Sequence, residues 1–145
     1  MRLPLKTEYA CQVMAQLARN HGSGEVQRVE EFANAEGFSP NYLVQILTQL
    51  KPAGLFISKR GKYGGYLLAR DPEDITLAEI AQAMEGQDLI WTSPGNGGMS
   101  SAKVRAAWQQ ANADLHAVLH GVPLSDLVTE LDESDNPNPS TDWVI

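Results

Sequence analysis

Apolar residues recur along the first part of the chain with the spacing of helices packed on a common core. Tyr9, Ala10, Val13, Met14, Leu17 and Ala18 fall on one face of a first helix, which the polar, glycine-containing turn at 20–24 ends. A short second helix is predicted from Val29 to Glu36, burying Val29, Phe32 and Ala33, with Gly37 as its left-handed stop. Ser39 then offers a hydroxyl N-cap, and Pro40 suits the first helical position. Leu43, Ile46, Leu47 and Leu50 follow at i, i+3, i+4 and i+7, which defines a third helix. Its other face carries Asn41, Val44, Gln45, Thr48 and Gln49. Pro52 lacks a backbone donor and Gly54 accepts positive φ, so this helix should end by about Lys51.

The pattern then changes period. Residues 55–58 and 66–69 are apolar, aromatic or β-branched runs on either side of Gly61, Gly64 and Gly65, which predicts a two-stranded hairpin with a long tip, closed by Asp71-Pro72. Thr76 with Glu79 three residues later forms a capping box, and Ile75 and Ile80 can staple across it, so a fourth helix should run to Gly86. Residues 87–101 contain Ser-Pro-Gly-Asn-Gly-Gly and have little to bury, the composition of a mobile linker. A last long helix is expected over about 102–120. Its Val104, Trp108, Ala111, Leu115 and Val118 are spaced by four, three, four and three, the a/d seam of a helix lying along another helix, and Gly121 and Pro123 end it. A helical turn at about 124–131 leads into an acidic tail, 132–145, expected to be disordered. The fold class predicted is mainly α with one small β-hairpin: a winged helix-turn-helix unit at 1–86, a linker at 87–101, and a dimerisation helix with a short following helix at 102–131.

Charge changes this picture because it is unevenly distributed. The net charge is -7, yet residues 1–70 carry nine Lys/Arg against five Asp/Glu, a net of +4, and residues 71–145 carry two against thirteen, a net of -11. From Lys51 to Arg70 there are five basic residues and no acidic one, so positive potential is concentrated on the predicted hairpin. A helix with a polar outer face after a short helix and a tight turn is the arrangement that enters a DNA major groove. Ser39 and Asn41 stand at the helix N-terminus, where free N–H groups favour phosphate. Gln45, one turn further, is the candidate base contact, since its amide matches the N6/N7 edge of adenine. Lys59, Arg60 and Lys62 can reach along or into a minor groove, and Tyr63 and Tyr66 either pack or meet phosphate. Each feature also has a bland reading, as solvated helix positions or an ordinary exposed turn; their conjunction is what points to nucleic acid.

Ser39-Pro-Asn-Tyr42-Leu43, Leu47, Leu50, Ala53-Gly54-Leu55, Ser58, Arg60-Gly61, Gly64-Gly65-Tyr66 and Leu68-Ala69-Arg70 closely resemble a family of bacterial winged-helix transcription regulators, which includes the iron–sulfur regulator IscR, the nitric-oxide sensor NsrR and the cysteine-metabolism regulator CymR. The similarity extends to Met1-Arg2-Leu3, Lys6, Tyr9-Ala10, Ile75-Thr76-Leu77 and Glu85-Gly86, and covers the chain to about residue 130. It implies a homodimer joined through the long helices and reading a partly palindromic promoter site in double-stranded DNA; repression is the expected direction, and a cytoplasmic protein is expected because no apolar run approaches a membrane span. It also implies that the helix from Ser39 lies in the major groove, with Pro40, Asn41, Tyr42 and Gln45 at the DNA, that Arg60 within the tip formed by Lys59, Gly61, Lys62, Tyr63, Gly64 and Gly65 enters the minor groove, and that Arg2, Lys6 and Tyr9 hold the backbone. The chain departs from the family in three places. Sensing relatives carry three cysteines around the segment matching 87–103, where this chain has none, so no iron–sulfur cluster is expected, and Glu8, which matches an acidic cluster ligand of some relatives, cannot hold one without thiolates. Arg28 stands where a Ser or Thr cap is usual, and Pro52 interrupts a helix end usually continuous.

A lone Cys11 excludes an internal disulfide and is expected to be a partly buried inert thiol, with redox sensing as the lesser reading. His116 and His120 lie four apart but have no third ligand nearby, so they are expected to be surface histidines. Trp91 and Trp108 flank the linker and are candidates for lining a small-molecule or protein-effector site, with core packing the expected use of Trp108. No P-loop, Rossmann fingerprint, Ser-His-Asp order or paired-carboxylate motif supports an enzyme, and no apolar run is long enough to span a membrane. The competing reading is a winged-helix module that binds protein and no longer DNA.

Overall fold

The computed structural model describes residues 2–128; the acidic tail and the end of the turn expected to reach residue 131 lie outside the described residues. Along the described residues the chain forms α1 (Leu5–Arg19), α2 (Val29–Glu36), α3 (Pro40–Leu50), β1 (Phe56–Lys59), β2 (Gly65–Leu68), α4 (Leu77–Glu85) and α5 (Ser101–His120), with residues 124–128 helical again. The core forms where the apolar stripes of α1, α3 and α4 meet. Val13, Met14, Leu43, Ile46, Leu50 and Ile80 are fully buried there, joined by Phe32 of α2 and Leu55 before β1. Helix ends follow local chemistry. Ser39 caps α3 by accepting from the Tyr42 N–H at 3.2 Å, and Thr76 and Glu79 form the reciprocal capping box of α4. Pro52 converts the end of α3 into a short 3-10 turn over Lys51–Ala53, which Gly54 closes at φ 68°.

The wing is wider than the two strands expected. β1 and β2 pair antiparallel with Ser58 opposite Tyr66, and Gln27 adds an isolated bridge on the outer edge of β2, with Gln27 N–H donating to Tyr66 O at 2.9 Å and Tyr66 N–H returning to Gln27 O at 2.8 Å. The edge of β2 is therefore covered by the chain entering α2. After α5 the chain returns to the winged unit: Leu77 N–H donates to Val122 O, Leu124 N–H donates to Ile75 O at 2.7 Å, and Leu124 is fully buried. No helix among the described residues is long and apolar enough to cross a membrane.

Candidate nucleic-acid interface

Two exposed features border α2: α3 packs against it, and the wing tip is bonded to Arg28 just before it. The first is the N-terminal half of α3, where Ser39, Pro40, Asn41, Val44 and Gln45 are exposed while Leu43, Ile46 and Leu47 turn into the core. Tyr42 is half-buried in an aromatic cluster, its ring 5.9 Å from Tyr9, which itself lies 4.6 Å from Phe38. This cluster fixes the start of α1 against the start of α3. Tyr9 is thus a packing residue as much as a surface one, with Lys6 one turn before it and Arg2 exposed beyond the helix start. Gln49, predicted with the polar outer face, is exposed and also reaches α4, donating to Met84 O at 3.1 Å.

The second feature is the wing tip. Lys59, Arg60, Gly61 and Lys62 are exposed, as is Tyr63 at 81 %, and Lys62 Nζ lies 5.7 Å from the Tyr63 ring. Tyr66 packs edge-on against Phe56, which settles it as a wing-stabilising residue. Not all the positive charge of 51–70 faces out with the tip, because Arg70 is paired with Glu79 at 2.9 Å. Arg28 was missed by the sequence reading as a functional residue. It makes no cap bond to α2; its Nη2 donates to Lys62 O at 2.9 Å and so ties the wing tip to the entry of α2.

The two adjacent wing glycines owe their place to the protein's own backbone. A Cβ on Gly64 would lie 2.2 Å from Lys59 O, and one on Gly65 would lie 2.4 Å from Gln27 O. The close approach they permit is between wing segments, a reading the sequence did not supply.

α5 presents a different surface. It has no buried residue, and Val104, Trp108, Leu115 and Val118 are 53, 44, 38 and 65 % exposed. Core packing of Trp108 is therefore overturned: this chain's own core does not cover it. The 87–100 segment is irregular, as its composition predicts, yet it is tied to α5, since Ile90 N–H donates to Asn112 Oδ1 at 2.9 Å and His116 Nε2 lies 2.6 Å from Gln87 O. His116 is thereby half-buried and partnered, in contrast to the surface position expected, while His120 is exposed.

The residues do not fit an iron–sulfur cluster. Such clusters are held mainly by thiolates, and the chain has a single cysteine. Cys11 is partly buried on α1, and burial, with the Glu8 carboxylate second, pushes its thiol up to about 11, away from the thiolate form that ligates or reacts. No three His, Cys, Asp or Glu side chains converge as metal ligands among the described residues.

This arrangement of short helix, exposed helix and basic wing is matched by known proteins. The profile of the Rrf2 family, described as an iron-dependent transcriptional regulator, matches residues 3–130. The chain belongs to the Rrf2 family. Among Rrf2-family relatives, IscR of Cronobacter sakazakii is 33 % identical over 93 % of this chain and 86 % of its own length. The solved structure of CymR, the global cysteine regulator of Bacillus subtilis, superposes with a TM-score of 0.76 at 30 % identity, covering 90 % of this chain and 98 % of that one. That of T. potens IscR gives a TM-score of 0.74 at 29 % identity, covering 97 % of this chain and 96 % of that one. A DNA-binding transcription regulator, and not an enzyme, is the function class that Rrf2 membership carries.

Proposed function

We propose that this Rrf2 protein is a homodimeric repressor that reads a partly palindromic promoter site and works without an iron–sulfur cluster of its own. The observation that carries the DNA reading is the joint exposure of Gln45 on α3 and the Lys59–Arg60–Lys62 tip on a chain that is acidic elsewhere. In this reading Ser39, Pro40, Asn41 and Tyr42 place the start of α3 on the backbone, Gln45 reads a base edge, Arg60 enters the minor groove, and Arg2 and Lys6 add phosphate contacts. The bare apolar face of α5 supports the second copy. A dimer laid across a promoter occludes it, which is why repression is the direction proposed.

The test is a salt titration of binding to promoter fragments from the host genome. Affinity is expected to fall steeply with salt; Arg60→Ala weakens all sequences similarly and lowers the salt slope by about one, whereas Gln45→Ala narrows the gap between preferred and random sequence by about tenfold. Salt-insensitive binding, equal in all three proteins, would favour the protein-binding alternative and end the DNA reading.

For the cluster, the protein purified without oxygen is expected to contain neither stoichiometric iron nor acid-labile sulfide. A visible absorption band with matching iron would overturn that part.

A further inference from the structure

Gln27 and Arg28, adjacent in the chain, fasten the wing at two points. Gln27 exchanges backbone bonds with Tyr66 of β2, and Arg28 Nη2 donates to Lys62 O at the tip, 2.9 Å away. The tip is closed on itself as well, since Gly64 N–H donates to Gly61 O at 3.0 Å. Because α2 begins at Val29 and packs on α3, these two residues set where the basic tip stands relative to the exposed face of α3. A guanidinium is a planar fork of several donors, so its bond to Lys62 O leaves capacity for a second partner.

A cleft of about 380 Å³ opens between the wing and the start of α2, lined by Arg28, Glu30, Ser58, Lys59, Arg60 and Gly61. Three cationic side chains and one carboxylate, that of Glu30, border it, so the cleft is net positive on a chain whose charge is -7. Its place matters as much as its charge. A single sugar–phosphate strand divides the major groove of a duplex from the adjacent minor groove. With α3 in the first and Arg60 in the second, that strand must cross between α3 and the wing tip, the two bodies that Arg28 and α2 join.

We propose that Arg28 binds a backbone phosphate of this dividing strand while its Nη2 keeps hold of Lys62 O, with Lys59 as the second cation on the same phosphate. The proposal rests on the DNA reading above and adds to it a site that places the wing. A charge-assisted bond from a guanidinium to phosphate is strong and directional, and a contact made by a side chain already anchored costs less ordering than one made by a free side chain. Because the anchor is the tip itself, the phosphate also sets the depth to which Arg60 reaches. Arg28 is then both a phosphate ligand and a positioning residue for the minor-groove contact.

The experiment uses the full chain and the promoter fragment that binds it best in the salt titration, remade as a series in which one phosphate at a time is a neutral methylphosphonate. The unsubstituted protein is expected to lose affinity about tenfold at one linkage between the base pairs read by α3 and those under the wing. Arg28→Gln should lower the salt slope by about one, and it should bind that modified duplex and the unmodified one equally, while other sensitive linkages stay sensitive. Arg28→Lys, which keeps the charge, should restore the slope. Thermal denaturation checks that each variant is folded; if Arg28→Gln is not, Lys59→Ala, at an exposed wing position, should weaken the response at the same linkage and decides in its place. A tether with no phosphate contact would lower affinity and leave both the slope and the linkage pattern unchanged, which overturns the proposal. So does an unsubstituted protein indifferent to every linkage in that interval. Failure of the DNA reading is distinguishable, since a protein that binds no fragment with salt dependence ends that reading, and this proposal with it, before any phosphate is replaced.

Discussion

Leu115→Glu combined with Val118→Glu is expected to give a protein that elutes as a single chain in size-exclusion chromatography with light scattering, where the unsubstituted protein elutes as a dimer. The reasoning starts from what α5 lacks. A helix of twenty residues with no buried side chain gains little from its own chain, and helices in proteins take most of their stability from packing an apolar face. Its apolar positions nevertheless keep the a/d spacing from Val104 to Val118 and stay exposed. A second copy packed along this seam would bury them, and the two glutamates would then meet their symmetry mates in a desolvated interface, at a cost of several kcal/mol per unpaired charge. Neither Leu115 nor Val118 belongs to the buried core cluster of α1–α4, so the winged unit should remain folded. Loss of the second reading head removes the gain from double engagement, and affinity for a two-half-site fragment should fall about 100-fold or more. A doubly substituted protein that remains dimeric, or an unsubstituted one that is monomeric at micromolar concentration, would remove α5 as the interface.

What the sequence made legible divides along the range of the interactions involved. The cap of Ser39, Pro40 at the first position of α3 and the box between Thr76 and Glu79 are set by residues within a turn of each other, and each stands where its local chemistry places it. The apolar stripes of α1 and α3 likewise name their own buried faces. The strand-like pairing of Gln27 was not legible, because its partner Tyr66 lies across the fold and a single bridge has no periodicity. Arg28 was visible only as a misfit cap; its bond to Lys62 O depends on where the wing folds back. Trp108 shows a further limit. Spacing reveals that a helix face is apolar but not which body covers it, so the same side chain supported both a seam and a core reading, and its 44 % exposure removes the second. His116 was misplaced for a related reason, since an irregular loop passing over a helix leaves no pattern in either segment.

The wing glycines convert one of these corrections into a measurable result. Had Gly65 served only to let DNA approach, alanine there would impair binding and leave stability alone. The structure places its missing Cβ 2.4 Å from Gln27 O and 2.8 Å from Gln27 C, both rigid backbone atoms held by the paired bonds between Gln27 and Tyr66. Gly65→Ala must therefore push the entry of α2 away from β2 and break that bridge. Overpacking of this kind costs about 1–3 kcal/mol, and the loss of the bridge adds about 1 kcal/mol. A fall in Tm of roughly 5–12 °C is expected for a chain of this size, measured by thermal denaturation with no DNA present. Gly61→Ala is the comparison that isolates the cause. Gly61 has φ 106° but open space around its Cβ, so alanine strains one residue without displacing a neighbour, at about 1 kcal/mol. The larger fall should belong to Gly65→Ala, and DNA affinity should drop with it, because the Arg28 tether and the basic tip move when the wing edge opens. A Gly65→Ala protein that melts within a degree or two of the unsubstituted one, yet binds DNA poorly, would return this glycine to the DNA-facing role that the sequence suggested.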